Sequence, residues 1–203
     1  MTGLREQKKS RVRTAIYEAA VSLFETDGYD AVSVERIAAR AGIAKGTFFN
    51  HFASKADILS AWHEASSLAE GEDAAGAMTD NLRDALLRPA LAAVRFAQTY
   101  PALWAATIRE TPSTPSLRRL EAQSDERLRQ RYEKAFREAI ASRMIKAQGD
   151  PQTLAALAVT LLTGCVREWI VLESRPLSLN AHLTRTLDNY LHVLGYTPYD
   201  GRG

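Results

Sequence analysis

The sequence predicts an all-α chain: an N-terminal three-helix unit of the helix-turn-helix kind, then a larger C-terminal helical bundle. No segment alternates apolar and polar residues as a strand does, and no repeat of fixed period is visible. Apolar residues instead recur three and four positions apart, in a chain of 203 residues that is 46% hydrophobic and holds only 11 Gly and 7 Pro. The stretch SVERIAARAGIAKGTFFNHFASKADIL, Ser33 to Leu59, compresses several helix signals around one glycine.

The first helix is read in KKSRVRTAIYEAAVSLFETDGYDAV, where Val12, Ile16, Ala19, Ala20 and Leu23 keep helical spacing and Gly28 ends it. Phe24 and Tyr29 should seal its core. Ser33 can N-cap a second helix whose stripe is Val34, Ile37, Ala38 and Ala41, at i, i+3, i+4 and i+7. Gly42 permits the left-handed turn that stops it, and Ile43 anchors the turn. A third helix is expected from Ala44 to Phe52; Phe48 and Phe52 point inward at i and i+4, leaving Lys45, Thr47, Asn50 and His51 outward. Ser54 caps a further helix with Lys55 in its first turn, continuing through DILSAWHEASSLAE until GEDAAGAMTD dilutes the pattern.

Helix, glycine turn and a second helix with a polar outer face is an arrangement sized for the DNA major groove. At the start of that helix Lys45 can donate to guanine, Thr47 can bond a base or touch a thymine methyl, and the Asn50 amide matches adenine. Gly46 lies among them, where exposed backbone N–H groups meet the groove or its walls. The formal net charge is only +2, but Arg5, Lys8, Lys9, Arg11 and Arg13 against Glu6 make a basic N-terminal arm in front of the reader.

The run FETDGYDAVSVERIAARAGIAKGTFFNHFASKADIL resembles the DNA-binding domain of the TetR (tetracycline repressor) family, whose pattern IA..AG...GT.Y.HF..K..L recurs at the same spacing. The resemblance covers roughly Lys9 to Leu59. It implies that Ser33, His51 and Lys55 contact phosphate. Two positions depart from the pattern: Phe49 stands where tyrosine is usual, removing a phenolic contact, and Ala44 replaces a Ser or Thr that could cap and donate.

Residues 1–59 are therefore read as the DNA-binding domain and 60–203 as an effector-binding and dimerisation domain. Helices are expected over about Asn81–Tyr100, over Pro101–Glu110, and, after the TPSTP break, from Ser116 to about Lys146. Asp150 and Pro151 open an apolar helix reaching Ile170 and Val171. The last helix repeats Leu179, Leu183, Leu187, Tyr190, Leu191 and Leu194 and stops at Gly195, before a frayed tail.

The resemblance implies that the last two helices pair with a second copy, through Leu154, Leu157, Leu161, Gly164, Leu183, Leu187, Tyr190 and Leu191. The residues alone fit burial within one subunit equally well. It also implies a small-molecule site, for which Trp62, Phe96, Tyr100, Trp104, Thr107, Tyr132, Phe136, Cys165 and Trp169 are the candidate lining; such a set suits a planar or lipophilic effector.

The chemistry-bearing residues do not favour an enzyme. His51, His63, His182 and His192 stand in no metal-ligand spacing with Cys165 or a carboxylate pair, and no glycine-rich phosphate loop occurs. No metal or cofactor is expected. A lone Cys165 among Leu161, Leu162 and Val166 reads as a small buried hydrophobe and fits a reducing compartment. No signal peptide is visible, and Leu154–Val166 is too short to span a bilayer before Arg167 and Glu168, so a soluble, cytoplasmic homodimer is expected. The function read from these features is a regulator, by family habit a repressor, released from a near-palindromic duplex by a small apolar effector. The alternative is a DNA reader controlled by a protein partner or by no effector.

Overall fold

The computed structural model describes residues 3–75, 81–146, 149–171 and 178–197. All its regular elements among those residues are helices: α1 (Leu4–Asp27), α2 (Val34–Arg40), α3 (Lys45–Phe49), α4 (Lys55–Ala75), α5 (Leu82–Thr99), α6 (Pro101–Glu110), α7 (Pro115–Ala141), α8 (Pro151–Val171) and α9 (Leu179–Val193). They form two compact units that follow no single cut in the sequence. One holds Met1–Ser66 with Tyr100–Leu120, the other Ser67–Thr99 with Glu121–Gly203.

In the first unit α1 buries Ile16, Ala20 and Phe24 against Ile37, Phe48, Phe52 and Leu59. α6 returns to this core with Leu103 and Ala106 fully buried, although it lies far along the chain. Its N-terminus shows why: the Glu25 carboxylate of α1 accepts from the backbone N–H of Ala102 (3.2 Å) and Leu103 (3.1 Å), satisfying donors that a helix start leaves open. Arg109 pairs with Asp30 at 2.9 Å, and the Ser60 and Ser116 hydroxyls meet at 2.8 Å. The basic N-terminal stretch is helical, since Gly3 opens α1 and Leu4 onward belongs to it.

In the second unit α9 buries Leu179, Leu183, Leu187 and Leu191 against α8 and α5. The Tyr132 hydroxyl, fully buried, donates to the Leu86 carbonyl at 2.8 Å, and the Tyr190 hydroxyl donates to the Leu154 carbonyl at 2.8 Å. The Arg83 guanidinium holds Asp188 through bonds of 2.6 and 3.2 Å. α7 stops at Ala141, short of the expected Lys146. Arg143 takes φ 56, and the following backbone pairs elsewhere: Lys146 N–H donates to Leu194 O (3.2 Å) and Thr197 N–H to Met144 O (2.9 Å). Gly195 turns there at φ +65, where a Cβ would come within 2.9 Å of the Lys146 Cβ, so only glycine fits this return. Residues 198–203 of the tail read as frayed lie outside the described residues.

By length and composition α8 is apolar enough to cross a bilayer over Pro151–Ile170, Arg167 and Glu168 notwithstanding. It is a two-faced helix: Ala155, Ala158, Val159 and Leu162 are buried, while Leu157 and Leu161 are 49% and 39% exposed.

Candidate DNA-binding surface

The site begins at the turn. The Ser33 hydroxyl oxygen accepts from the Arg36 N–H at 3.3 Å, capping α2 as its sequence position predicts. At the other end Gly42 takes φ +68, the Ile43 N–H reaches the Ala38 carbonyl at 3.0 Å, and the chain re-enters a helix within three residues. α3 is regular only over Lys45–Phe49. The remainder to Phe52 is a tightening turn, with His51 N–H and Phe52 N–H both donated to the Phe48 carbonyl at 2.9 and 3.0 Å.

Phe48 and Phe52 are 0% and 3% exposed and fix the roll of this short helix. What they leave outside is a polar row: Lys45 and Asn50 are exposed, Thr47 is half-exposed, and Gly46 has open space where a Cβ would stand. Phe49 is 49% exposed, its ring edge-on to Phe48 at 5.3 Å. Ala44 makes no side-chain cap.

Charges complete the surface. On α1 a shallow groove is lined by Glu6, Gln7, Lys9, Ser10, Arg11 and Arg13. The Arg13 guanidinium lies 4.0 Å over the Phe52 ring and donates to the His51 carbonyl, tying α1 to the end of the α3 turn. His51 is half-buried with its Nδ1 enclosed and unbonded among the described residues. Burial lowers its pKa, and Lys9 and Arg13 lower it further, which favours neutral imidazole.

Lys55, for which the resemblance implies a phosphate contact, turns much of its ammonium to the protein's own backbone. It is half-buried, its ammonium donates to the carbonyls of Tyr29 (2.8 Å) and Val32 (3.1 Å), and it stands 4.2 Å over the Tyr29 ring. Two of its three N–H bonds thus clamp the α1–α2 loop. Next to it Ser54 and Asp57 cap α4 reciprocally, Ser54 N–H to Asp57 at 2.9 Å and Asp57 N–H to Ser54 at 3.3 Å.

Glu35 is a part of this surface that its place in the sequence did not announce. The Glu35 carboxylate lies 2.5 Å from the Lys45 ammonium, both groups more than half exposed. The Lys45 hydrogen bond, then its own backbone N–H and the Ser33 hydroxyl, hold the Glu35 pKa down at about 2. The available signal was the tightness of the turn, which returns the start of α3 to the start of α2.

The other candidate residues divide between the units. Trp62, Tyr100, Trp104 and Thr107 belong to the first, where Trp62 meets Tyr100 and Trp104 edge-on at 6.0 and 6.1 Å. Trp104 keeps a buried Nε1–H with no hydrogen-bond partner among the described residues, and Thr107 is buried with its hydroxyl on the Leu103 carbonyl. Tyr132, Phe136, Cys165 and Trp169 belong to the second: Tyr132 and Phe136 are core, Cys165 donates to the Thr186 hydroxyl at 3.4 Å, and Trp169 is half-buried. The Phe96 side chain lies outside the described residues. Of the expected dimer contacts, Leu154, Leu183, Leu187 and Leu191 are buried within the subunit and Tyr190 is half-buried; Leu157, Leu161 and Gly164 are the ones left on the outer face of α8.

An all-α chain with a glycine-turned helix pair presenting a polar row is a helix-turn-helix protein. Residues 16–62 match the description "Bacterial regulatory proteins, tetR family" and residues 82–192 match "BetI-type transcriptional repressor, C-terminal". The second match alone covers more than half of the chain. The HTH-type transcriptional regulator TcmR of Streptomyces glaucescens is 41% identical over 56 residues, 28% of this chain and 25% of that protein. The chain spans only about a quarter of the length of the curated relatives it matches. A transcriptional regulator of Saccharomonospora viridis, described as putative and solved with choline, has a TM-score of 0.70 at 24% identity, covering 90% of this chain and 96% of that one. Thermus thermophilus FadR, solved with lauroyl-CoA, has a TM-score of 0.66 at 16% identity, covering 94% and 99%. The chain belongs to the TetR family of bacterial regulatory proteins, a family of soluble DNA-binding regulators of transcription.

Proposed function

We propose that this protein is a cytoplasmic, homodimeric repressor that reads a near-palindromic duplex and is released from it by a small, largely apolar effector. The observation that carries the DNA-reading part is the exposed row Lys45, Thr47 and Asn50 held over buried Phe48 and Phe52. In this reading Lys45, Thr47 and Asn50 read base edges at the open Gly46 backbone, while Ser33, His51 and the remaining Lys55 proton meet phosphate and Phe49 packs on sugar or a thymine methyl. The functional division stays at 1–59 and 60–203, although packing returns α6 to the reader. One short helix reads too few base pairs alone, so a second copy is required, and Leu157, Leu161 and Gly164 are the apolar row available to it.

The effector reading is supported by the relatives solved with choline and with lauroyl-CoA, and by the cluster of Trp62, Tyr100 and Trp104. Its aromatic faces suit apolar or methylated groups, and the Trp104 Nε1–H, without a partner among the described residues, suits an acceptor atom. Release requires that the effector bind the DNA-incompetent state more tightly, by about 1–3 kcal/mol, and by reciprocity DNA must weaken effector binding by the same factor. No residue of the chain is given a catalytic role. Calorimetric titration with choline and with lauroyl-CoA, with and without bound duplex, tests this. Equal affinity in both states, or a Trp104→Ala variant that binds and releases unchanged, would leave a regulator governed by a protein partner or by none.

A further inference from the structure

The Glu35–Lys45 pair is unusual in its position. A carboxylate on a surface meant for a polyanion opposes binding, and an exposed ion pair contributes little to folding. The ammonium nonetheless lies 2.5 Å from the Glu35 carboxylate. Glu35 occupies the first turn of α2, where the helix dipole favours a negative charge, and Lys45 opens α3. The two therefore form a neutral unit with donors on one side and acceptors on the other.

We propose that Glu35 is a specificity-determining residue acting through Lys45: by holding the ammonium in a neutral pair it withdraws it from indiscriminate phosphate binding and presents it to a guanine. A free surface lysine has three rotatable donors and takes any phosphate within reach. Paired, it keeps donors for guanine O6 and N7, and the carboxylate keeps lone pairs for a cytosine N4 amino group, so the unit is matched to a G·C pair. On other sequences the pair gains little by opening, since a phosphate contact would strand Glu35 against the DNA. The basic groups lining the α1 groove, Lys9, Arg11 and Arg13, supply the sequence-independent attraction.

This inference rests on the DNA-reading function proposed above, and its test separates the two. Duplexes are selected from a randomised pool by the full-length wild-type protein, and fluorescence anisotropy then follows binding of the selected duplex and of a scrambled one across a salt series. For Glu35→Gln the scrambled duplex should bind roughly tenfold tighter at low salt. Its slope of log K against log salt should steepen by about 0.9 per half-site, as one phosphate contact is gained. Selection with Glu35→Gln should lose the G·C requirement at one position per half-site. In a Lys45→Gln background, the Glu35→Gln change should alter the scrambled affinity less than about twofold, since the residue works through Lys45. An unchanged motif and slope in a Glu35→Gln protein with wild-type circular dichroism overturns the inference. So does an equal gain in the Lys45→Gln background, which would make Glu35 a plain repulsive charge. If the wild type selects no duplex, both the function and the inference fall.

Discussion

The two units are built from the same material, helices closed over aromatic and aliphatic cores, and differ in what they leave outside. In the first, Phe48 and Phe52 are buried so that Lys45, Thr47 and Asn50 stand out; in the second, Ala158 and Leu162 are buried so that Leu157 and Leu161 stand out. A polar, basic exterior suits phosphate and base edges. An aliphatic exterior suits a like surface. Periodicity sets the buried face of each helix, and the residues on the opposite face set its partner class.

The largest effect should come from spoiling the aliphatic exterior. Leu157→Glu with Leu161→Glu leaves the buried face of α8 intact and should turn a dimer into a monomer by sedimentation. Affinity for a two-half-site duplex should fall about 10²–10⁴-fold as the two readers lose their linkage. The opposite intervention, on a buried support, is Phe48→Ala. It should cost about 3–5 kcal/mol in the thermal or denaturant unfolding of the first unit, with binding of every duplex weakened as the folded fraction falls. Asn50→Ala touches only the polar row, and should relax base preference at one position per half-site at a cost of about 1–3 kcal/mol; equal loss on all sequences would remove it from the base-reading set.

A smaller effect sharpens the distinction between contact and support. Because Lys55 donates to the Tyr29 and Val32 carbonyls, Lys55→Met should lower stability by about 1 kcal/mol per lost hydrogen bond. Its third proton decides the rest: the salt slope falls by about one unit per half-site if that proton reaches phosphate, and stays put if Lys55 is support alone. The smallest effect is that of His51. With its pKa below 6.5 in the folded state, the unfolded chain binds the proton first, so stability should decline as pH drops from about 6.5 toward the lowered value. His51→Gln should flatten that limb of the stability profile.

Local periodicity made most of the helices legible. The stripe Val34, Ile37, Ala38, the glycine turn and the inward pair Phe48 and Phe52 are all decided within one or two turns of chain. Less legible were features set by distant residues. The Glu25 carboxylate caps α6 from 77 positions away, and Lys55 reaches carbonyls 23 and 26 positions back. Neither periodicity nor composition encodes such partners. The same holds for the end of α7, where 144–146 pairs with 194–197 in place of continuing a helix that the composition would allow. In the candidate site, exposure of Lys45 and Asn50 followed from the roll of α3, whereas the Glu35 pairing depended on the return geometry of the turn.

The central claim, a two-fold DNA reader, is tested most directly by selecting binding sites from a randomised duplex pool with the purified full-length protein. The account predicts two inverted half-sites whose centres lie about 34–36 Å apart, or a multiple of a helical turn, each carrying a fixed adenine and a fixed G·C pair. An unenriched pool, or a single asymmetric site occupied by one subunit, would contradict it.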